Sequence, residues 1–285
     1  MLVALFPNLT KPSSLKVAMR TSQFLLNHGV KVVAEDSKAE LLNLPQLSSA
    51  QPEQVDFLIS MGGDGTILGM MHKHPELTAP VIGINLGGLG FMAEIPEDQV
   101  EVALQQLIGG EYTLCERLMV EGYIDGVMQA LAINEIVIHR AKIPSLIDLS
   151  ISVGSSYLNA FSSDGLIIST PTGSTAYNLA SGGPILTPEL SSLVITPICP
   201  HTISYRPIVL NTENKISVTY QSELPPVEVS YDGIQLHTLS TGQTLEILPS
   251  KRIFKTVLFK GHDFFSTLRS KLGWTGRLRF PLTKS

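Results

Sequence analysis

The stretch Val55-Asp56-Phe57-Leu58-Ile59-Ser60-Met61-Gly62-Gly63-Asp64-Gly65-Thr66 decides how this chain is read. The apolar run 55–61 has strand character, and a glycine-rich turn leads from it into helical sequence from about Thr66. In an open α/β sheet, ligands bind where such loops leave the carboxyl ends of strands. Glycines let the backbone approach a phosphate, and amides at a helix start can cradle it. Gly62, Gly63, Gly65 and Thr66 are therefore candidate phosphate-loop residues. No lysine lies between Gly62 and Met71, so this is not a G-x-x-x-x-G-K-[ST] loop. Asp64 is the odd member. Its carboxylate could hold Mg²⁺, orient an acceptor hydroxyl or accept its proton; the plainer reading is a tight turn with Asp64 as a helix cap.

Outward from this stretch, strand and helix alternate. Residues 2–6, 30–34 and 81–84 read as strands. Residues 14–28 read as a helix with Val17, Thr21, Phe24, Leu25 and His28 on one face and Gly29 as its stop. Residues 96–108 carry Val100, Ala103, Leu104, Leu107 and Ile108 at helical spacing, closed by Gly109-Gly110. This rhythm implies a mainly parallel sheet with helices on its faces. Near Tyr112 the pattern changes to short β-rich runs. Asp125-Gly126, Asp164-Gly165 and Asp232-Gly233 read as turns between them. The expected divisions are an α/β domain over 1–117, a β-rich domain over 118–255 and a tail over 256–285.

Two further constellations stand out. Strand 166–169 leads through Pro171-Thr172-Gly173-Ser174-Thr175-Ala176-Tyr177 into an expected helix, which Gly182-Gly183-Pro184 would end. This is a second helix start for a polar ligand, with Tyr177 able to lie against a planar base; the alternative is a Ser/Thr-capped helix with a core tyrosine. Asn134-Glu135 interrupts the apolar run 131–138. A buried carboxylate needs partners, and a ribose diol suits the pair, provided the strand ends or bulges there; the alternative is a strand-end turn. Gly88-Leu89-Gly90-Phe91-Met92-Ala93 fits G-x-G-x-x-A, but the next clear helix starts only near Pro96, so it is not read as a dinucleotide fingerprint. The run could still form part of the nucleotide cleft, and Phe91, near the sheet's carboxyl edge, is a candidate dinucleotide-binding residue.

Composition excludes several classes. The chain has 285 residues, 44% hydrophobic and 16% charged, as in compact globular proteins. No apolar run approaches the ~20 residues that span a bilayer. Residues 1–6 are apolar without a preceding basic residue and read as a buried strand rather than a signal peptide. Cys115 and Cys199 are the two cysteines, which gives no disulfide framework and no cysteine metal site, with a cytoplasmic location as the default. The net charge of -5 disfavours a general nucleic-acid binder. From Lys251 onward, nine Lys/Arg face Asp263 alone, while the rest of the chain holds 11 basic and 24 acidic residues. The tail is thus either a solvated basic face or a segment that docks on the acidic body or lies near an anionic ligand.

Together these residues resemble the NAD kinase family, bacterial type. The likeness runs through Gly62 to Thr66, Gly83-Ile84-Asn85 with Leu89-Gly90-Phe91, Asn134-Glu135, Ser163 to Tyr177, Gly182-Gly183-Pro184, Pro200-His201-Thr202 and Lys271-Leu272-Gly273-Trp274. The first motif is shared with diacylglycerol and sphingosine kinases; the long run from Ser163 is specific to NAD kinases. The resemblance implies phosphorylation of the adenosine 2′-hydroxyl of NAD by ATP, or another phosphoryl donor, with a divalent cation (Mg²⁺). It implies Asp64 as proton acceptor and Asp64-Gly65 in contact with the dinucleotide. Asn134 and Glu135 would hold adenosine. Thr175, Ala176, Tyr177, Asn178, Leu179 and Ala180 would line the dinucleotide site, and Asp164 would reach its nicotinamide end. The implied fold is a Rossmann-like α/β domain plus a β-sandwich domain, with the chain end returning to the first domain. The implied assembly is a homodimer or homotetramer. Two positions depart from the pattern. Ser162 stands where some relatives carry arginine, and Ile234 stands where a polar residue is common, with Gln235 expected to point the other way. A lipid kinase would need an acyl-chain cleft or membrane-facing helix, and a non-catalytic NAD(P)-binding regulator would have no reason to keep Asp64.

Overall fold

The computed structural model describes residues 1–202, 204–261, 263–274 and 276. The chain divides into two compact units, Met1–Cys115 with Lys255–Ser285 and Glu116–Phe254.

The first unit holds β1 (Leu2–Pro7), α1 (Ser14–Asn27), β2 (Lys31–Ala34), α2 (Asp36–Leu42), β3 (Phe57–Gly62), α3 (Asp64–Lys73), β4 (Val81–Asn85), the two-residue β5 (Ile95–Pro96) and α4 (Val100–Ile108). The strands pair in parallel in the order β2-β1-β3-β4. Val3, Ala4 and Leu5 are fully buried, as expected of parallel strands covered on both faces. The chain starts at β1 and builds outward on both sides, so a topological switch point lies between β1 and β3.

Element boundaries moved where the period was weak. On α1, Val17, Thr21 and Leu25 are buried as expected, but Ser14, Ala18 and Ser22 complete the face. His28 is exposed because the helix ends at Asn27 and Gly29 turns away at φ +72°. Helix α2 has no sequence signal; its seven residues bury only Ala39 and Leu42. Helix α3 starts two residues before the expected point, with Gly63 at its N-cap, so Asp64 is the first helical residue and not the cap. The expected helix 96–108 is divided into β5, a 3₁₀ turn at Glu97–Gln99 and α4.

The second unit is antiparallel. It comprises β6 (Tyr112–Ile124), β7 (Val127–Ala132), β8 (Glu135–His139), β9 (Ile147–Val153), β10 (Ser156–Ser163), β11 (Gly165–Ser169), α5 (Tyr177–Ala180), β12 (Ser192–Ile198), β13 (Ile208–Asn211), β14 (Ile216–Tyr220), β15 (Val227–Tyr231), β16 (Ile234–Leu239) and β17 (Thr244–Phe259). One sheet runs β13-β12-β11-β8-β15-β16, and β10-β9-β14-β17 with the β6–β7 hairpin forms the other face. Ile136, Ile138, Leu166 and Ile168 from the first sheet share one core with Ile147, Leu149, Val218 and Leu245 from the second. This is a β-sandwich.

Two Asp-Gly pairs are hairpin turns as read: Asp125 and Gly126 lie at φ 52° and 76°, Asp232 and Gly233 at 46° and 79°. Asp164-Gly165 is different. Asp164 joins β10 of one sheet to β11 of the other, and Gly165 is already in the strand. A Cβ at Gly165 would overlap the Ile138 carbonyl oxygen, so the glycine serves close strand approach rather than a turn. The helix expected after Thr172 is only a 3₁₀ turn (Gly173–Thr175) and the four-residue α5.

Strand β17 begins in the second unit, and its last residues belong to the first, where Thr256 pairs in parallel with Val81 of β4. Val257 and Phe259 join the core of the first unit, and helix α6 (Phe264–Leu272) follows. Not all tail aromatics are buried: Phe265 and Trp274 are about half exposed. Of the basic tail residues, Arg277, Arg279 and Lys284 lie outside the described residues, as does the Gln235 side chain.

Candidate active site

Asp64 opens α3 at the carboxyl end of β3. Its carboxylate accepts three backbone N–H groups: Oδ2 from Phe91 at 2.8 Å, and Oδ1 from Met92 at 3.0 Å and Ala93 at 2.9 Å. The segment that supplies them follows β4, and Asn85 shapes it. The Asn85 amide nitrogen donates to the carbonyls of Gly88 (2.8 Å) and Ala93 (3.1 Å), and its oxygen accepts from the Gly87 N–H (2.7 Å). Oδ2 has one protein donor and keeps acceptor capacity for a hydroxyl. Gly62 is equally constrained, since a Cβ there would overlap the Thr66 hydroxyl. That hydroxyl accepts from the Gly63 N–H at 3.3 Å and from Asn8 Nδ2 at 3.1 Å.

A cleft of about 590 Å³ lies beside α3, lined by Asn8, Thr10, Glu35, Lys38, Thr66 and Lys73 among others. It sits at the carboxyl ends of β1 and β2, by the switch point. Glu35 is 6% exposed and pairs with both Lys38 and Lys73. Burial alone would raise its carboxyl, but the two lysines outweigh that and hold it below the ordinary range.

In the second unit, Asn134 lies between the end of β7 and the start of β8, so the strand does end at the Asn134-Glu135 pair. The Asp232 carboxylate sets this backbone. It accepts the N–H groups of Ile133 (2.8 Å), Asn134 (2.7 Å) and Glu135 (3.2 Å). Glu135 is 6% exposed, and its Oε2 has no hydrogen-bond partner among the described residues. Burial, with the Asp232 charge adding to it, pushes its carboxyl up to about 8. Thr172 Oγ1 is likewise buried without a partner. Buried orphan polar atoms of this kind call for a ligand or water. Gly173 packs on the same segment, where a Cβ would overlap the Asn134 carbonyl and stand 2.7 Å from its Cα.

The remaining candidates separate. Thr175, Ala176 and Leu179 are half-buried, and Tyr177 and Ala180 are exposed. Asn178 is fully buried, and its amide is consumed inside the protein. It donates to the carbonyls of Ser174 (3.1 Å) and Pro184 (3.0 Å) and accepts the Thr196 hydroxyl at 2.6 Å. Asp164 is held by Arg140 Nε at 2.7 Å. Ser162, at the divergent position, donates to Asp148.

The family model of the ATP-NAD kinase N-terminal domain matches residues 3–112, and that of the ATP-NAD kinase C-terminal domain matches residues 133–259. This chain belongs to the ATP-NAD kinase family. An NAD kinase of Protochlamydia amoebophila is 53% identical over 98% of this chain and all of its own length. One from Syntrophotalea carbinolica is 34% identical over 96% of this chain and 99% of its own. Among solved structures, a yeast NADH kinase complexed with NADH superposes with a TM-score of 0.85 at 25% identity, covering 100% of this chain and 90% of that one. An NAD kinase from Archaeoglobus fulgidus in complex with ATP gives 0.73 at 26% identity, covering 96% and 99%.

In this kinase chain Asn85 and Gly90 belong to the family likeness, but their part in seating Asp64 was not legible locally, nor was any part for Arg140 and Asp232 in shaping a site. Asp232-Gly233 carried a turn signal, but nothing local showed that the carboxylate serves amides nearly a hundred residues away. Gly90 has a sharp consequence. A Cβ there would overlap Asp64 Oδ1 and lie 2.9 Å from Cγ. The carboxylate could escape only by giving up its three N–H donors. Gly90→Ala is therefore expected to lower kcat by about 100-fold, the scale of a 1 Å misplacement. The melting temperature should fall as well, because each N–H left without an acceptor costs about 1–3 kcal/mol. A kcat within threefold of wild type would show that the carboxylate needs no such seat.

Proposed function

We propose that this chain transfers the γ-phosphoryl group of ATP to the 2′-hydroxyl of the adenosine ribose of NAD, giving NADP. The observation that carries this reading is the Asp64 carboxylate, seated by three amides at the carboxyl end of a parallel sheet with Oδ2 open to a hydroxyl. Phosphoryl transfer needs positioning and charge stabilisation above all. Asp64 would hold the 2′-hydroxyl in line and take its proton as the bond to phosphorus forms. Donor phosphates would meet the loop Gly62, Gly63, Gly65 and Thr66 at the start of α3. The Gly63 N–H is given to the Thr66 hydroxyl and the Thr66 N–H to the Gly63 carbonyl, so the Gly65 N–H, which has no carbonyl partner within the helix, would lead the contact. The neighbouring cleft, with Lys38 and Lys73, fits the rest of an anionic donor.

Asn134 and the carboxyl group of Glu135 would bind the adenosine ribose, using the orphan oxygen of Glu135. Thr175, Ala176, Tyr177, Leu179 and Ala180 would line the dinucleotide site, with Asn178 bracing that turn from within. Asp164 would face the nicotinamide end. Phe91 would contribute its N–H.

The family works with ATP and a divalent cation. Among the described residues no three His, Cys, Asp or Glu side chains gather as a metal site. The cation, Mg²⁺ in this proposal, would be held mainly by donor phosphate oxygens, whose charge it would neutralise. No helix of the described residues is long and apolar enough to cross a membrane. We place the enzyme in the cytoplasm as a homodimer or homotetramer; sedimentation showing an active monomer would refute the assembly.

The test is direct. The protein is incubated with NAD, ATP and Mg²⁺, and NADP is read with an NADP-specific dehydrogenase. NADP should accumulate with Mg²⁺ and stop when EDTA is added. No NADP with ATP or with inorganic polyphosphate would refute the reading.

A further inference from the structure

Phe91 does two things at once. Its N–H is one of the three that hold Asp64, and the residue is only 8% exposed. What covers the ring includes the far end of the chain. The ring of Phe264, the first residue of α6, lies 5.9 Å from it at an interplanar angle of 40°. Lys271, one residue from the end of α6, places Nζ 4.8 Å from the ring centroid. The same helix therefore touches this ring from its first turn and from its last.

The segment between β4 and Ala93 needs such an anchor. It contains Gly87, Gly88 and Gly90, so its backbone has wide freedom. Three consecutive amides, 91 to 93, must nevertheless point at one carboxylate. Asn85 ties the segment from within, and the Phe91 side chain is its handle from outside. A ring held from two sides fixes the direction of its own N–H.

We propose that α6 positions the reacting carboxylate: Phe264 and Lys271 hold Phe91, and Phe91 with its neighbours holds Asp64. Both are positioning residues, since they act on Asp64 through Phe91. The proposal rests on the reading of Asp64 given above. It explains a feature that packing alone leaves idle. Lys271 is exposed and could be any solvated residue, yet its ammonium lies over the one aromatic ring whose backbone serves Asp64. Helix α6 also buries Thr267 and Leu268, so the test rests on single substitutions at Phe264 and Lys271 and not on its removal.

The experiment compares wild type, Lys271→Met, Phe264→Ala and Phe264→Tyr, each also in the Asp64→Asn background. Lys271→Met keeps the stem and loses the charge; a partly exposed cation–π contact predicts a loss in kcat of about threefold. Phe264→Ala should lose about tenfold, the scale of an aromatic pair. Phe264→Tyr should stay within about twofold of wild type because the ring remains. KM for NAD and for ATP should hold in every case, and Lys271→Met should melt like wild type. In the Asp64→Asn background the losses should vanish, since residues that act through one group are not additive. Unchanged kcat in Lys271→Met and Phe264→Ala overturns the positioning role and leaves the reaction standing. Equal losses with and without Asp64 overturn it as well. A wild-type chain that forms no NADP removes the reading on which it rests.

Discussion

Replacing Asp64 with asparagine is expected to lower kcat by about 10²–10⁴ while NAD affinity stays within a few-fold. A carboxylate is too weak a base to ionise a ribose hydroxyl beforehand. It can hold the oxygen in line and accept the proton as the new bond to phosphorus forms. Asparagine can still bond to the hydroxyl but cannot take its proton. The cradle adds a second effect. Oδ1 accepts from Met92 and Ala93, and Oδ2 accepts from Phe91. An amide can keep the Oδ1 side, but its NH₂ then faces the Phe91 N–H, donor against donor. Leaving that N–H without an acceptor costs about 1–3 kcal/mol, so a small drop in melting temperature should accompany the loss of rate. Measuring kcat, NAD binding and melting for both proteins separates the two effects. A variant within about threefold of wild-type kcat would show that Asp64 shapes the loop and does no chemistry.

Glu135→Gln should make the protein, at alkaline pH, more stable and a poorer binder of NAD. Burial, with the nearby Asp232 charge, raises this carboxyl from 4.5 to about 8. Between those values the folded chain keeps a proton that the unfolded chain releases. Stability therefore falls as pH rises through that window and levels off above about 8. The full effect is on the order of 5 kcal/mol, since each pKa unit corresponds to about 1.4 kcal/mol. Glutamine keeps the shape and never ionises. At pH 8.5 it should melt several degrees above wild type, while at pH 5 the two should coincide. Near neutral pH, where the folded carboxyl keeps its proton, NAD affinity should hold within a few-fold. Above about pH 8, where wild type ionises, the glutamine should bind about tenfold more weakly, because hydrogen bonds to an ionised acceptor are the stronger ones. Melting curves from pH 5 to 9 and titration calorimetry with NAD read both. Parallel melting curves would show that Glu135 carries no such strain.

Much of this protein is written locally. A strand ending in Gly-Gly-Asp-Gly-Thr needs only neighbouring residues to mark a loop at a sheet's carboxyl edge. Period-2 runs with Asp-Gly turns at 125 and 232 likewise mark the second unit as β-rich. The interruption at Asn134-Glu135 was legible because a carboxylate in an apolar run has to be accounted for. What the sequence could not carry were features set by distant partners. Helix α3 begins at Asp64 because that carboxylate is held by amides 27 to 29 residues away, and no local period records such a bond. Gly165 looked like a turn residue, yet it is glycine because the Ile138 carbonyl lies where a Cβ would be. Asn178 looked like a ligand residue, yet its amide is spent inside the fold. Sequence determined the elements, the loop and the carboxylates, because propensity and periodicity act over a few residues. Tertiary structure alone decided which backbone amides each carboxylate meets, because those bonds depend on chain segments brought together only by folding.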